Sequence, residues 1–461
     1  MKIHFIAIGG ALMHNLALAL QKKGYTITGS DDEIYDPSKS RLEKAGLLPE
    51  KMGWSVKRIH KDLDAVIVGM HARPNNPELL RAQELGLTIY SYPEYVYLQS
   101  VNKKRVVVGG SHGKTTTTSM IMHVLKYYNI DFDYAVGAQL DGFDLMVRLS
   151  DAPLIVIEGD EYLSSPIDSL SKFLHYHPDV AVVTGVAWDH INVFPTFKKY
   201  KKQFKKFIKS ITNNGTLIYY KEDKHLRAFA NYAPAQTIAY TTPAHSIVDN
   251  QTYLSVDYNY QLEEQHLGIP LQIFGKHNLQ NFQAARLVCR ELGLSDGQIV
   301  EAIQTFSGAA KRLETLSTNE KQVVFKDFAH APSKVKATIN AVKGQYADRP
   351  LIAALELHTF SSLNIDFLDE YLGSMGAADH AYVYYDKHTI KMKKLKPIQP
   401  EDVEEAFYHP NLTVFTDAKA LEKQLKAVVK EQQANLLLMS SGKWGGIDLV
   451  ELTSSKIEKE E

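Results

Sequence analysis

The amino-acid sequence predicts an α/β protein with three domains, each built on a mainly parallel sheet. The chain has 461 residues, which corresponds to about three domains of ordinary size. Short apolar runs of strand length alternate with helical segments in three successive regions, and this alternation is typical of parallel sheets. Several of the apolar runs end in glycine or in polar side chains, which is where open α/β sheets place their ligands.

The composition is that of an ordinary globular enzyme, with 44% hydrophobic and 23% charged residues. The net charge of −1 provides no basic field for nucleic acid or an anionic membrane. A single cysteine, Cys289, excludes an internal disulfide and fits a reducing compartment. No apolar run approaches the roughly 20 residues of a membrane span, and Gly9 and Gly10 interrupt the apolar start. We therefore expect a cytoplasmic protein, a monomer or homodimer, without nucleic-acid or membrane partners.

The first region, residues 1–102, is expected to form a Rossmann-like domain. Its strands are predicted at "IHFIAIGG", "YTITGSD", "AVIVGM" and "LTIYSY", with helices at "ALMHNLALALQKKG" and "NPELLRAQELG". The first strand leads through Gly9 and Gly10 directly into a helix, an arrangement that suits a phosphate group. Such a turn is weakly specific on its own, and dinucleotide binding is its usual interpretation. The polar run 102–105 is interpreted as a linker.

The second region, residues 103–308, contains the most informative stretch, "VVVGGSHGKTTTTSM". It predicts a buried strand, a glycine turn and a helix, with backbone N–H groups arranged around an anion. Lys114 would reach the outer phosphates of a nucleotide, and the Thr115 hydroxyl would bind Mg²⁺. The full P-loop pattern has glycine where this chain has Val108, so a glycine turn with an exposed lysine is the alternative interpretation.

Acidic and histidine residues follow the next two predicted strands of this region. "VIEGDEY" carries Glu158, Asp160 and Glu161, and "WDHIN" carries Asp189 and His190. Carboxylate oxygens, and occasionally imidazole, are ligands for phosphate-bound magnesium. Each residue alone could be a solvated carboxylate or a core histidine, but two such clusters downstream of a phosphate turn favour a site.

The lysine-rich stretch "FKKYKKQFKKFIKS" predicts an amphipathic helix packed on this second domain. Phe197, Tyr200 and Phe204 recur at helical spacing, with lysines filling the opposite face. Nucleic-acid binding is the weaker interpretation, because the rest of the chain supplies no matching basic surface.

A later helix of the same region is predicted at "HNLQNFQAARLVCRELG". It places Asn278 and Asn281 three residues apart on one face, where both can contact the same ligand. Capping of the helix by Asn278 is an equally good interpretation.

The third region, residues 309–461, again alternates strands with helices. Strands are predicted at "QVVFKDFA", "PLIAALEL", "HAYVYYD", "NLTVFTD" and "NLLLMSSG". Near its start, "KRLE" supplies the cation Arg312, and "KDFAHAP" supplies Asp327 and His330. The tail "SSKIEKEE" is expected to be solvated.

Five stretches in this order resemble the motifs of the Mur ligases, the ATP-dependent amide-forming enzymes of peptidoglycan synthesis. They are "GGSHGKTTTT", "EGDEY", "DHINVF", "GKHNLQNFQAA" and "DFAHAP". The resemblance implies the three-domain Mur ligase architecture: a UDP-sugar-binding Rossmann-like domain (1–102), a central ATP-binding P-loop domain (103–308) and a C-terminal Rossmann-like domain (309–461). It also implies ATP and Mg²⁺ as cofactors, with UDP-N-acetylmuramate and a peptide or amino-acid amine as substrates.

The resemblance also assigns expected roles to individual residues. Lys114, Glu158, His190 and Arg312 would be catalytic, and Thr115, Glu158 and His190 would hold metal. ATP would be bound by Gly110, Ser111, His112, Gly113, Lys114, Thr115, Thr116, Asn278, Asn281, Arg312 and Asp327. The UDP-sugar would be bound by Gly9, Gly10, Met13, Ser30, Asp31 and His71. The incoming peptide would be bound by His330, His358, Ser361 and Lys443.

Two branches of the family fit the chain. One adds L-alanine to UDP-N-acetylmuramate (the MurC branch), and the other, the Mpl branch, joins the tripeptide L-alanyl-γ-D-glutamyl-meso-diaminopimelate to it. "GSDDEIYDPSKSRLEKAGL", "KFLHYHPDVAVV" and "MSSGKWGGI" resemble the Mpl branch, which is the favoured one. The small residues Ser361–Ser362 and Gly445–Gly446 are expected to leave room for an extended peptide.

The chain departs from these patterns at two places. "ELHTFSSLN" has His358 where the Mpl branch has an arginine, so the identity of the peptide is open. Phe204 stands where several relatives use a carbamylated lysine, as it does in the MurC branch. Outside these branches, a folate-type polyglutamate ligase and a non-catalytic nucleotide-sensing protein are the alternatives; residues 1–100 disfavour the first, and the joint presence of the expected catalytic residues disfavours the second.

Overall fold

The predicted α/β class is confirmed by the computed structural model, which describes residues 1–255, 268–309 and 312–453. Three mainly parallel sheets form along the chain, one in each of the predicted regions. The tail predicted to be solvated, residues 454–461, lies outside the described residues. Within the described parts of the chain, no helix combines the length and apolarity that crossing a bilayer requires.

The first sheet has four parallel strands in the order β2-β1-β3-β4. Its strands are β1 (Lys2–Ile6), β2 (Thr26–Ser30), β3 (Ala65–Val68) and β4 (Ile89–Ser91). Its helices are α1 (Ala11–Lys22), α2 (Ser38–Lys44), α3 (Pro77–Glu84) and α4 (Tyr92–Leu98). Ile6 pairs with Ser30 at the ends of β1 and β2, so the Gly9–Gly10 turn and Asp31 leave the same edge of the sheet.

The second sheet has seven strands in the order β13-β12-β11-β5-β8-β6-β7, all parallel except the β6–β7 pair. Its strands are β5 (Lys104–Gly109), β6 (Asp133–Ala135), β7 (Val147–Arg148), β8 (Leu154–Gly159), β11 (Val180–Val183), β12 (Thr216–Tyr220) and β13 (Gln236–Tyr240). A small hairpin is formed by β9 (Leu163–Ser165) and β10 (Asp168–Ser171). The helices are α5 (Lys114–Tyr127), α6 (Phe197–Lys209) and α7 (Lys224–Ala230). Both faces of the central strands are buried, which explains their continuous valine and isoleucine runs.

Helix α6 confirms the predicted amphipathic helix. Tyr200, Phe204 and Phe207 are fully buried on one face, and Phe207 stacks on Phe173 with ring centroids 4.5 Å apart. The lysines of the helix lie on its other faces. Phe204 is a core residue.

The predicted linker at 102–105 is wrong for its second half, because Lys104 and Arg105 begin β5. Arg105 is buried, and its guanidinium donates to the carbonyl oxygens of Ser100 at 3.0 Å and His177 at 3.0 Å. It also lies 3.2 Å from Asp179. A guanidinium has enough donors to satisfy several buried carbonyl groups, so Arg105 has a structural role and connects β5 to the neighbouring loops.

The third sheet has six strands in the order β17-β18-β22-β19-β20-β21, parallel except for β17. Its strands are β17 (Glu314–Thr318), β18 (Val323–Asp327), β19 (Leu351–Leu357), β20 (His380–Tyr385), β21 (Leu412–Phe415) and β22 (Asn435–Met439). The helices are α10 (Pro332–Gln345), α11 (Lys387–Met392), α12 (Pro400–Phe407), α13 (Ala418–Glu431) and α14 (Leu449–Thr453). Along the chain, five elements follow the last strand of the second sheet and precede the first strand of the third: β14 (His245–Val248), β15 (Gln251–Leu254), β16 (Ile269–Leu271), α8 (Lys276–Glu291) and α9 (Asp296–Ile303).

The chain divides into two compact units. The first unit comprises Met1–Val186, Phe197–Thr241 and Ala284–Ala302, and contains the first two sheets. The second comprises Ala187–Thr196, Thr242–Gln283 and the chain from Ile303 on, and contains the third sheet. The boundaries at 102 and 308 stay a prediction, because these units do not separate the three sheets one by one.

Candidate active site

The glycine turn after β5 has the backbone that a phosphate loop needs. Gly113, with φ of 76°, immediately precedes α5, and Gly110 has φ of 140°. A Cβ on Gly110 would lie 2.0 Å from the Thr184 hydroxyl oxygen, so no side chain fits there. The Ser111 N–H donates to the Gly185 carbonyl at 3.0 Å, which fixes the turn against the segment after β11. The first N–H groups of α5 are thereby held around a space suited to an anion.

Lys114 is held inside this turn, so the alternative of an exposed lysine is wrong. Its ammonium donates to the Gly110 carbonyl at 2.7 Å and to Glu161 Oε2 at 2.6 Å, and its side chain is 15% exposed. Burial opposes the ammonium charge, but neighbouring carboxylates, Glu161 first among them, outweigh it and raise the pKa of Lys114. The lysine therefore stays charged at neutral pH.

Thr115 and Glu158 form a pair of oxygen donors beside the turn. β5 and β8 are neighbours, with Val108 opposite Glu158, so the carboxylate leaves the sheet next to the helix start. The Thr115 hydroxyl donates to Glu158 Oε1 at 2.9 Å, and the Gly137 N–H donates to Oε2 at 3.0 Å. Hard oxygen donors of this kind fit Mg²⁺, which prefers one or two protein oxygens together with substrate phosphates.

The other two carboxylates of "EGDEY" are already paired with lysines. Glu161 is fully buried against Lys114, and Asp160 Oδ2 lies 2.7 Å from the Lys172 ammonium. Although burial disfavours the charge of Asp160, the Lys172 ammonium lowers its pKa below the usual value. Asp160 and Glu161 are thus engaged by lysines, whereas Glu158 accepts the hydroxyl of Thr115, so Glu158 stays the metal candidate of this stretch.

The remaining predicted residues of the turn differ in what they expose. The side chains of Ser111 and Thr116 are buried, so a nucleotide would meet their backbone. His112 is half-buried and packs on Gly185, where a Cβ would lie 2.6 Å from the imidazole Nε2.

Asp189 and His190 belong to the second unit. Asp189 is buried, and its Oδ2 lies 3.3 Å from the Lys334 ammonium. Its Oδ1 accepts the His190 N–H at 2.8 Å. His190 is half-buried and adopts φ of 57°, a left-handed conformation that non-glycine residues rarely take and that is enriched at functional sites. His190 is therefore only partly buried, and its role as a metal ligand stays a prediction.

Asp327, at the end of β18, shapes the loops on both sides of it. Its Oδ2 accepts the Leu313 N–H at 2.6 Å, and its Oδ1 accepts the Ala329 N–H at 2.7 Å. Arg312, next to Leu313, lies over the Phe328 ring with the guanidinium carbon 4.7 Å from the centroid. The carboxylate thus places the arginine and the following loop together.

His330 follows on that loop. Burial, reinforced by the nearby Lys334 ammonium, lowers the pKa of His330 to about 3, so its imidazole is neutral at physiological pH. Its Nδ1 lies 2.9 Å from the Phe328 carbonyl oxygen, and Tyr371 donates its hydroxyl to the His330 carbonyl. A neutral imidazole cannot form an ion pair, so any peptide contact of His330 would be a hydrogen bond.

Asn278 lies in the first turn of α8 and is not its cap. The helix begins at Lys276, and the Asn278 amide group donates to the Phe274 carbonyl at 3.0 Å, whereas a capping side chain accepts from helix N–H groups. The capping interpretation is therefore wrong. Asn278 and Asn281 are both buried, one turn apart on the helix.

In the first sheet, the glycine turn and Asp31 meet. The Gly9 N–H donates to Asp31 Oδ2 at 2.7 Å, and a Cβ on Gly9 would lie 2.9 Å from that oxygen. Burial raises the pKa of Asp31 to about 6. Gly10 precedes α1 without a capping side chain, which leaves the first N–H groups of the helix without that partner. Met13 is buried in the first turn of α1.

Ser30 and His71, also predicted for the UDP-sugar, differ in accessibility. Ser30 is fully buried and donates its hydroxyl to the buried Glu78, so its side chain orders the end of β2 and does not face solvent. His71 is exposed in the loop after β3.

The predicted peptide-binding loops follow β19 and β22, which are adjacent strands. His358 has a side chain 41% exposed, and Lys443 is exposed. Glu356, which sequence reasoning missed, joins the two loops because its Oε2 accepts the Trp444 N–H at 2.9 Å and the Ser440 hydroxyl. A glutamate within an apolar strand run is the only signal that could have found it.

The expectation that small residues leave room for a peptide is wrong for two of them. A Cβ on Gly445 would lie 2.5 Å from the Tyr384 hydroxyl oxygen, so this glycine is required by close packing. Ser362 is fully buried and hydrogen-bonded to Thr359 at 2.9 Å. Ser361 is also buried, and its hydroxyl accepts the Ile191 N–H at 3.4 Å.

A separate group with the composition of a metal site consists of Glu94, Asp168 and His175. The His175 Nε2 and Asp168 Oδ2 atoms are 2.8 Å apart, but both are buried without a hydrogen bond in the described part of the chain, and Glu94 accepts the Ser91 N–H at 2.6 Å as part of the cap of α4. The cluster brings three potential ligand atoms within 4.8 Å of one another beside α4 and the hairpin, and we assign it no function.

Comparison with known proteins identifies relatives over most of the chain. Residues 2–98 match the "Mur ligase family, catalytic domain" and residues 108–289 match the "Mur ligase middle domain". The UDP-N-acetylmuramate–L-alanine ligase of Caldicellulosiruptor bescii is 31% identical over 389 residues, 83% of each chain. The UDP-N-acetylmuramate–L-alanyl-gamma-D-glutamyl-meso-2,6-diaminoheptandioate ligase of Escherichia coli is 27% identical over 456 residues, 97% of this chain and 96% of that protein.

Among solved structures, a murein peptide ligase from Psychrobacter arcticus has the same fold, with a TM-score of 0.65 and 24% identity over 99% of both chains. The chain therefore belongs to the Mur ligase family. It is an ATP-dependent ligase that joins an acid to an amino acid or peptide.

Proposed function

We propose that this Mur ligase joins the tripeptide L-alanyl-γ-D-glutamyl-meso-diaminopimelate to UDP-N-acetylmuramate and converts ATP to ADP and phosphate. The observations that support the proposal are the alignment of the tripeptide ligase of E. coli over 97% of the chain and the exposed His358 and Lys443 on the loops after β19 and β22; L-alanine ligases also align over 95% of the chain in Sulfurihydrogenibium sp. and over 83% in C. bescii. The higher identity of the latter, 31%, makes L-alanine addition the second candidate. Recycling of cell-wall peptides would be the role of the tripeptide reaction.

The reaction would proceed in two steps. The lactyl carboxylate of the sugar attacks the γ-phosphorus, the bond to ADP breaks, and an acyl phosphate forms. The free amine of the peptide then attacks the acyl carbon, and phosphate leaves from the tetrahedral intermediate with loss of a proton from nitrogen. Because the phosphoryl transfer needs little covalent help, the protein acts mainly by positioning and by stabilising charge.

In the first unit, Lys114 would contact the outer phosphates, with the Gly110–Thr115 turn around them. Thr115 and Glu158 would hold Mg²⁺, and His190 of the second unit is proposed for a second metal ion. Bound Mg²⁺ supplies neutralisation of phosphate charge. Asn278 and Asn281 are proposed for adenine, Asp327 for the ribose and Arg312 for the γ-phosphate.

The UDP-sugar is proposed to bind at the first sheet. The uncapped N–H groups after Gly10 suit its diphosphate, and Asp31 and His71 flank the same edge. Both nucleotides are cytoplasmic metabolites, so the proposed reaction belongs in that compartment.

Charge supports a peptide acceptor. The tripeptide carries several carboxylates where L-alanine carries one. His358 and Lys443, on the loops that Glu356 joins, offer two nitrogen-bearing side chains to solvent. Such side chains are suited to carboxylates through charge-assisted hydrogen bonds.

The test measures ADP release and product mass with ATP, UDP-N-acetylmuramate and either L-alanine or the tripeptide. We expect a higher kcat/KM for the tripeptide, and Lys443→Ala should lower that value by about tenfold, the loss of one charged hydrogen bond. Lys430→Ala, an exposed lysine on α13, is the matched control and should leave it unchanged. Efficient ligation of L-alanine with no use of the tripeptide would replace this proposal with the L-alanine reaction.

A further inference from the structure

A chain of hydrogen bonds leads from α6 to the lysine of the phosphate turn. The Tyr200 hydroxyl lies 2.8 Å from Glu161 Oε1 and 2.8 Å from the Ser111 hydroxyl oxygen. The opposite oxygen of Glu161 accepts from the Lys114 ammonium at 2.6 Å. Tyr200, Glu161 and Lys114 therefore form one connected group within the first unit.

Burial makes the geometry of this group strict. Tyr200 and Glu161 are both fully buried, so the carboxylate depends on protein partners. A buried carboxylate that loses a partner is costly, and its position is consequently fixed by the groups that bond it. Tyr200 fixes one oxygen, and Lys114 is bonded to the other.

The ammonium of Lys114 has three N–H donors. One is directed to the Gly110 carbonyl and one to Glu161, which leaves a single donor for a phosphate oxygen. The direction of that donor is set by where the other two partners lie. A shift of Glu161 would thus turn the remaining N–H away from the nucleotide.

We propose that Tyr200 and Glu161 are positioning residues for Lys114, in which Tyr200 acts through Glu161. The inference rests on the proposed role of Lys114 at the nucleotide phosphates. It gives the buried face of α6 a part in the reaction in addition to packing, because the Tyr200 ring packs on Phe204, 5.2 Å between centroids, while its hydroxyl reaches the turn.

The experiment compares Tyr200→Phe, Glu161→Gln and the double variant, because phenylalanine keeps the ring packing and removes only the hydroxyl. We expect Tyr200→Phe to weaken ATP affinity and lower kcat by about tenfold each, the effect of losing one hydrogen bond to a charged group. KM for UDP-N-acetylmuramate should not change. The double variant should match Glu161→Gln alone, since residues that act through one another are not additive.

Tyr240→Phe is the matched control, because Tyr240 is a buried tyrosine of the same unit whose hydroxyl has no hydrogen-bond partner in the structure as described. It should leave ATP affinity and kcat unchanged. Wild-type kinetics in Tyr200→Phe, or additive effects in the double variant, would overturn the inference. ATP affinity is measured without an acceptor, so failure of the tripeptide reaction would be seen separately from failure of the positioning role.

Discussion

Replacement of Lys114 by alanine tests the phosphate turn most directly, and its two effects can be separated. The first effect is on stability, because the substitution leaves Glu161 fully buried without its cation. Breaking a buried ion pair by removing one partner costs about 3–5 kcal/mol. Tyr200 still donates to Glu161, so we expect the lower part of that range.

The second effect is on the rate. A preorganised donor aimed at developing charge contributes about 10²–10³ in kcat, and the loss of the full ammonium should reach or exceed that range. Binding of UDP-N-acetylmuramate should remain nearly intact, because its proposed site at Gly9 and Gly10 follows a strand of a different sheet. The raised pKa of Lys114 keeps it charged well above neutrality, so an assay between pH 7 and 9 is free of its titration.

The assay combines ADP release, calorimetric binding of UDP-N-acetylmuramate and urea unfolding. The variant Lys114→Ala with Glu161→Gln removes the orphaned charge and should regain most of the lost unfolding free energy while ligation stays lost. This double variant also covers the case in which Lys114→Ala alone does not fold. Ligation at the wild-type rate in either variant would refute the assignment of the phosphate turn.

Two further predictions concern the nucleotides. Asn278→Ala should raise KM for ATP more than it lowers kcat, because contacts to adenine stabilise the ground state and the transition state about equally. Unchanged ATP kinetics together with a lower thermal stability would show that Asn278 has only a structural role, through its hydrogen bond to the Phe274 carbonyl. Burial raises the pKa of Asp31 from 3.8 to about 6, so the carboxyl becomes charged as pH rises through 6. The stability that its protonated form contributes is fully present below about pH 4 and is lost between about pH 4 and 6. A charged Asp31 would repel the diphosphate, so the affinity for UDP-N-acetylmuramate should fall between pH 5 and 7 in the wild type and should not change over this range in Asp31→Asn. Identical pH profiles of the two proteins would contradict the placement of the diphosphate near Asp31.

The strands were predictable because both faces of a parallel sheet are buried. Stretches such as "VVVGG" and "LIVIEG" are apolar without alternation, and each became a central strand of the second sheet. The helix α6 was predictable for the complementary reason, since one apolar face must pack and the lysine face must not. The prediction of a linker at residues 102–105 was wrong because charged residues are usually exposed, and nothing in the local sequence indicates that Arg105 donates to buried carbonyl groups.

The pairing of the site residues was not predictable from the sequence. Lys114 and Glu161 are 47 positions apart, and Tyr200 is a further 39 positions from Glu161. Which carboxylate of "EGDEY" faces the turn depends on the register of β8 against β5, and which carboxylates are neutralised depends on lysines brought in by tertiary packing. The expectation that Gly445 leaves room for a peptide was wrong for a similar reason, because a small residue is equally consistent with open space and with a close contact.

The acceptor is a different physical question from the nucleotide. The turn at Gly110, Lys114 and Thr115 is proposed to bind phosphate through backbone N–H groups, one ammonium and hard oxygens, and none of these groups would contact the amine of the acceptor. The loops after β19 and β22 are fixed to each other by the buried carboxylate of Glu356, which leaves His358 and Lys443 free to vary without disturbing that bond. Selection on the acceptor can therefore change a few exposed side chains while the core of the third sheet is preserved. Similar overall identity to L-alanine and tripeptide ligases is the expected consequence if, as we propose, the acceptor is bound at these loops.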